Sequence, residues 1–166
     1  MARRTAGEEI DFERLYRTSR DDVYAYVAGM VRDRSAAEEV TAVAFERALT
    51  RRSSYKPGRG SPRAWLFGIA RNAAYDELRR TGRTEPAADP EEQQRPGHDP
   101  TADLAVRRAA LAEALAVLST DERELVALKF EAGLANAEIG AVLDITESNV
   151  GTRLSRVVAK LRAAMA

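Results

Sequence analysis

Residues 118–161 read LSTDERELVALKFEAGLANAEIGAVLDITESNVGTRLSRVVAKL, and the punctuation of this stretch decides the fold. Ser119-Thr120-Asp121-Glu122 is a capping box, which satisfies the free amides of a helix start. Leu125, Val126 and Leu128 follow inside that helix, and Gly133 suits its end in a left-handed conformation. Next come a short helix with Ile139, Val142 and Leu143, a tight turn at Asp144-Ile145, and a final helix starting near Thr146. Val150, Leu154, Val157 and Leu161 share one face of that last helix. A short helix, a tight turn and a second helix with a basic outer face make a helix-turn-helix. Burial of Ile139, Leu143, Ile145, Val150 and Leu154 between the two helices leaves Ser148, Asn149, Thr152, Arg153 and Arg156 outside. The start of the second helix is the part that enters a major groove, where Asn pairs with adenine and Arg with guanine. Its amides and positive dipole end also suit phosphate. A plain helical hairpin within a core is the competing reading of this stretch taken alone.

Working upstream, Leu104, Leu111, Leu115 and Leu118 mark one more helix. Before it, TGRTEPAADPEEQQRPGHDP (81–100) holds no large apolar residue and cannot repay its ordering entropy by burial. It reads as a flexible, acidic, Pro-rich linker, and its roughly twenty residues reach up to about 60 Å when extended. Ser61-Pro62 opens the preceding helix as an N-cap with proline at the first helical position. That helix turns Trp65, Leu66, Ile69 and Ala73 inward and runs to about Arg80; Trp65 reads as core. RRSSYKPGRGSP (51–62) is a loop, broken by Pro57, Gly58, Gly60 and Pro62. Ser35-Ala36-Ala37-Glu38 reads as another capping box, with Val40, Val43, Ala44 and Ala48 on one face of its helix. The first helix buries Phe12, Leu15, Tyr16, Val23, Val27, Met30 and Val31. No strand pattern occurs. The fold expected is all-α: a flexible start (1–10), a helical bundle (11–82), the linker (83–101) and the helix-turn-helix unit (102–166).

The 166 residues carry no net charge, yet their charges are segregated. From Arg47 to Arg83 ten Arg and Lys residues face only Asp76 and Glu77. From Glu85 to Asp103 six acids face Arg95 alone. The last helix is basic again, through Arg153, Arg156, Lys160 and Arg162. Two basic surfaces separated by an acidic strap point to nucleic acid. Absence of cysteine excludes disulfides and cysteine-based zinc sites. The N-terminus lacks the apolar core of a signal peptide, and no window approaches the roughly 20 apolar residues of a membrane span. A cytoplasmic protein without metal or cofactor is expected.

RAWLFGIARNAAYDELRR (63–80), preceded by SAAEEVTAVAFERAL (35–49), resembles a phrase of the type RAWLxxIARNxxxDxLRR in the extracytoplasmic-function group of bacterial sigma factors. The segment 118–161 is similar to that group's second helical unit in length and register. The resemblance runs from about Phe12 to Leu161. It implies a factor that binds core RNA polymerase and directs initiation at promoters by recognising −35 and −10 elements and helping to open the DNA. By the same resemblance the helix Ser35–Leu49 docks on the clamp coiled coil of the largest polymerase subunit, with Glu38, Glu39, Val40 and Phe45 as contacts, and the helix-turn-helix unit meets the flap. Ser54, Tyr55 and Asn72 would hold an unstacked base of the −10 element, with Arg71, Arg79 and Arg80 on phosphates and Lys56 also at that DNA. Ser148, Asn149, Thr152, Arg153 and Arg156 would read the −35 element. An anti-sigma protein is a further partner the resemblance allows; a membrane is not.

The chain departs from that pattern in places. The loop 51–62 is longer and more basic than usual. Gly151 and Val158 stand where the family has cations, which implies weaker phosphate binding, and glycine lowers helix propensity by roughly 1 kcal/mol. Ala135 replaces a serine cap, with Asn136 as its expected substitute. A response-regulator type of DNA-binding protein also ends in such a helix-turn-helix, but residues 12–80 show no alternating strands and no aspartate at a strand end. An enzyme would have to work without a Gly-rich phosphate motif and with its single histidine, His98, in the linker.

Overall fold

The computed structural model describes residues 10–82 and 102–166. The expectations for the linker, including His98, and for residues 1–9 lie outside that set. The described residues form helices and short helical turns, without a strand.

Helix α1, Phe12–Val31, starts at Asp11, whose carboxylate accepts from the Arg14 amide at 3.1 Å. It ends at Arg32, held left-handed at φ 50°. That break sets up the next cap, and it is not the one the sequence suggests. Helix α2 spans Arg34–Thr50 and is capped by Asp33, which accepts from Ala36 N. Ser35 and Glu38 therefore make no capping box; Glu38 instead lies 3.8 Å from the Arg34 guanidinium across one turn. Two 3₁₀ turns, Arg52–Ser54 and Pro57–Arg59, order part of the basic loop. Helix α3, Pro62–Arg80, begins as expected: Ser61 Oγ accepts from Ala64 N and proline occupies the first turn.

These three helices pack around Val23, Tyr26, Val27, Ala44, Leu66, Phe67 and Ala70, all fully or almost fully buried. Phe67, which the sequence reading passed over, fills the centre, edge-on to Tyr26. Tyr16 and Val43, expected inside, are exposed. They sit at the margins of their apolar stripes, where a neighbouring helix covers them only in part.

The second unit comprises α4 (Ala102–Ala116), α5 (Thr120–Val126), α6 (Asn136–Leu143) and α7 (Glu147–Met165). A wide helical turn, Ala127–Glu131, continues α5. The capping box at Ser119 is complete in both directions: Glu122 N donates to Ser119 Oγ, and Ser119 N donates to Glu122. Gly133 is left-handed at φ 68°, as expected. Helix α4 differs from expectation. Leu104 and Leu111 are exposed and Ala114 is its one buried residue, because only α7 packs closely against it.

The two units share one continuous core instead of standing apart. Helix α6 lies against α3, and the turn Ala127–Glu131 lies against α1. The Arg63 side chain donates to Asp22 at 2.8 Å and also to the Ala132 carbonyl. Ser61 Oγ donates to Glu138 at 3.1 Å.

Candidate nucleic-acid interface

The loop 51–60 is folded onto the first turns of α3 by its own side chains. Ser54 Oγ donates to the Arg51 carbonyl at 2.6 Å, and the Tyr55 hydroxyl donates to the Gly60 carbonyl at 2.9 Å. The Tyr55 ring meets Trp65 edge-on, with centroids 5.8 Å apart. Between loop and helix lies a cavity of about 540 Å³. Ser54, Tyr55 and Asn72, the residues expected to meet the base, all line it, together with the cations Lys56 and Arg71. Trp65 and Ile69 line it too, each only half-buried. Trp65 is thus part of the cavity wall and not simply core. Arg59 joins them, a cation that the sequence reading did not single out within its basic loop. Asn72 is exposed and its side chain makes no hydrogen bond among the described residues, so both its amide donor and its carbonyl acceptor are open to a base edge.

The flanking arginines differ. Arg79 and Arg80 are exposed, and each pairs with an acid one turn earlier, Asp76 and Glu77. Asp76 also receives Arg47 from α2 at 3.2 Å. The hydrogen bonds from Arg79 and Arg47 hold its carboxyl below the usual range. Such exposed pairs are weak and can be exchanged for phosphate. Arg71, expected to hold phosphate, does not face outward in this state. Its Nε donates to Glu124 Oε1 at 2.6 Å, and its guanidinium lies over the Tyr75 ring. Burial opposes its charge, but the Glu124 carboxylate outweighs that and raises its pKa.

On α2 the four expected polymerase contacts divide. Glu38 and Glu39 are exposed, whereas Val40 and Phe45 are each 5% exposed and belong to the bundle core. Phe45 packs edge-on against Tyr16 and Phe12. Val40 and Phe45 therefore support the helix from beneath. The exposed apolar residue beside Glu39 is Val43, one turn on.

In the helix-turn-helix, α6 ends at Asp144 in the left-handed region, φ 56°, and Ile145 N donates to the Gly140 carbonyl at 3.0 Å. Gly140 permits this turn: a Cβ there would meet the Ile145 carbonyl oxygen at 2.7 Å. Ala135 caps α6 without a side-chain acceptor, and Asn136 does not replace it. Glu138 accepts from Ala135 N at 3.1 Å, while Asn136 Oδ1 is buried and unpartnered in the described structure. Thr146 caps α7 by accepting from Asn149 N. Ser148, Asn149, Thr152, Arg153 and Arg156 are all exposed on one side of α7, as the burial of Val150, Leu154 and Val157 requires. Asn149 Oδ1 accepts from Arg153 Nε at 2.9 Å. Arg156 forms no ion pair among the described residues.

A loop-and-helix cavity rimmed with cations, together with a helix-turn-helix presenting Asn and Arg from its second helix, defines a DNA-binding, multi-site protein. Residues 15–84 match sigma-70 region 2, and residues 108–161 match sigma-70 region 4. The sigma factor CarQ of Myxococcus xanthus is 34% identical over 98% of this chain and 93% of its own. The extracytoplasmic-function sigma factor BldN of Streptomyces coelicolor is 32% identical over 97% of this chain, which spans 62% of BldN. Among solved structures, the sigma factor RpoE of Bartonella quintana, crystallised with the anti-sigma factor NepR, superposes with a TM-score of 0.71 at 22% identity, covering 93% of this chain and 96% of that one. CnrH, in complex with the cytosolic domain of CnrY, gives 0.66 at 26% identity, covering 92% and 85%. The chain belongs to the sigma-70 family, in its extracytoplasmic-function group of transcription initiation factors.

Proposed function

We propose that this chain binds core RNA polymerase through α2 and directs it to promoters built from two spaced elements. The exposed face of α2, Glu38, Glu39 and Val43 over the buried Val40 and Phe45, is the surface offered to the polymerase clamp. The cavity at Asn72 takes an unstacked base of the −10 element. Unstacking costs a few kcal/mol, which binding in a shaped, polar-lined site offsets. Arg79 and Arg80 follow the strand backbone. Helix α7 reads the −35 element in duplex form through Asn149, Arg153 and Arg156, with Ser148 and Thr152 beside them. Proteins of this kind carry out no chemistry; they select the start site. One of the similar solved structures is a sigma factor crystallised with an anti-sigma factor, and an inhibitor of that kind is proposed here as well.

The observation carrying this reading is the convergence of Ser54, Tyr55, Lys56 and Asn72 on one cavity, in a chain that also exposes the full expected face of α7. Retention on purified core polymerase tests the first half. Permanganate reactivity of promoter thymines in the resulting complex tests the second, since only unpaired thymines react. Retention without reactive thymines would leave a polymerase-binding adaptor in place of an initiation factor.

A further inference from the structure

Glu124 is a carboxylate in a place where carboxylates are rarely found. It sits on α5 in the second unit, is 2% exposed, and all the side chains bonded to it belong to the first unit. The Tyr26 hydroxyl donates to it at 2.9 Å, the Tyr75 hydroxyl at 2.8 Å and Arg71 Nε at 2.6 Å. These come from two helices, α1 and α3. A buried charge is tolerated only when paired and hydrogen-bonded, and this one is fully served.

We infer that Glu124 is an intramolecular latch: it holds the second unit closed over the first, and single-stranded nucleic acid must displace it to reach Arg71 and the base cavity. The inference rests on the reading of that cavity as the −10 base site. Three features join in it. Arg71 is both a lining residue of the cavity and the charged partner of Glu124. Ala141 and Val142 of α6 form part of the same cavity wall, so the closed second unit stands where a strand would pass. Gly60, at the cavity rim, approaches so near to α6 that a Cβ there would lie 3.2 Å from the Ala141 Cβ.

The latch is reversible on physical grounds. Separating a buried ion pair loses its Coulomb attraction but returns both ions to water, and the two terms nearly cancel. A phosphate offers Arg71 an equivalent partner, so nucleic acid shifts the balance by binding only the open form. The α7 face remains exposed in the closed form, so closure blocks strand reading and not duplex contact.

The chain lacks cysteine, so Ala42→Cys with Ala159→Cys, both exposed positions on α2 and α7, labels each unit once for a distance measurement. The full-length pair-labelled protein is compared with the same protein carrying Glu124→Gln or Glu124→Arg, with circular dichroism reporting the fold. The expected result is one narrow distance distribution in the parent, a mixture with Glu124→Gln, and mainly a broad, longer distribution with Glu124→Arg. A mixed-sequence single-stranded oligonucleotide should lengthen the distance in the parent and bind Glu124→Arg more tightly. If the closed form makes up about nine-tenths of the parent, the gain is about tenfold. A mixed-sequence duplex should show no such gain. Identical narrow distributions in all three proteins would overturn the latch while leaving the promoter reading intact. Long distances in Glu124→Arg without any change in single-strand affinity would overturn the competition and count against the cavity as a base site.

Discussion

Arg71 and Glu124, 53 residues apart in the chain, meet with 2.6 Å between Nε and Oε1 and tie the first helical unit to the helix-turn-helix unit. The pair is asymmetric: Glu124 is almost fully buried, while a third of the Arg71 side chain remains exposed. Removing the guanidinium strands a buried charge, whereas removing the carboxylate leaves a cation that can reach water. Arg71→Ala is therefore expected to shift the chain toward the open form at least as far as Glu124→Gln does. Label-to-label distances in the two variants check this ordering.

Asn72 lines the cavity, is exposed, and its amide makes no hydrogen bond among the described residues. Asn72→Ala should leave polymerase retention unchanged and impair open-complex formation, by roughly tenfold if one to two hydrogen bonds to the captured base are lost. Parallel retention and permanganate assays measure the split. Equal losses in both would refute the division of labour between α2 and α3.

Arg156 is exposed and has no acidic partner among the described residues. Arg156→Ala should weaken upstream duplex binding and reduce the slope of log affinity against log salt by about 1. A salt titration of binding to a promoter duplex decides it, and an unchanged slope removes Arg156 from the phosphate contacts.

Two glycines of the helix-turn-helix should respond in opposite directions. A Cβ at Gly140 meets the Ile145 carbonyl oxygen at 2.7 Å, whereas at Gly151 the nearest atom is Asn136 Nδ2 at 3.9 Å. Gly140→Ala is expected to cost about 1–3 kcal/mol by overpacking a backbone contact. Gly151→Ala should gain about 0.5–1 kcal/mol of helix propensity. Gly151→Arg should in addition raise duplex affinity and steepen its salt dependence. Thermal melting and the same salt titration measure both.

Glu122 closes the capping box of α5 and receives Lys160 from α7 at 3.0 Å. The Ser119 amide, followed by Lys160, holds its carboxyl below the ordinary value of 4.5. Because the folded-state pKa is the lower one, this stabilisation is complete above about 4.5 and is lost as pH falls through the depressed value. Glu122→Gln should therefore melt lower than the parent at neutral pH, and the difference should shrink in acid. A difference independent of pH would assign the loss to packing.

What the sequence could reveal followed the range of the interactions involved. Ser119, Ser61 and Thr146 act within three or four residues, and each cap sits where its side chain and spacing place it. The start of α2 misled because two acceptors stand close together. The left-handed Arg32 places Asp33 at the break and leaves Ser35 inside the helix. Stripe margins were equally ambiguous: Val43 and Leu111 satisfy the helical period, yet both remain exposed. Glu124 was illegible altogether. In DERE it looks like one more acid near a solvated helix start, and only its distant partners Tyr26, Arg71 and Tyr75 reveal that it is buried.

The most direct test of promoter direction is transcription of fragmented genomic DNA from the source bacterium, by purified core polymerase with and without this chain. The account predicts new start sites, present only with the chain and preceded by two elements at a fixed spacing. A chain that binds core polymerase yet adds no start site, or that fails to bind core at all, would contradict it.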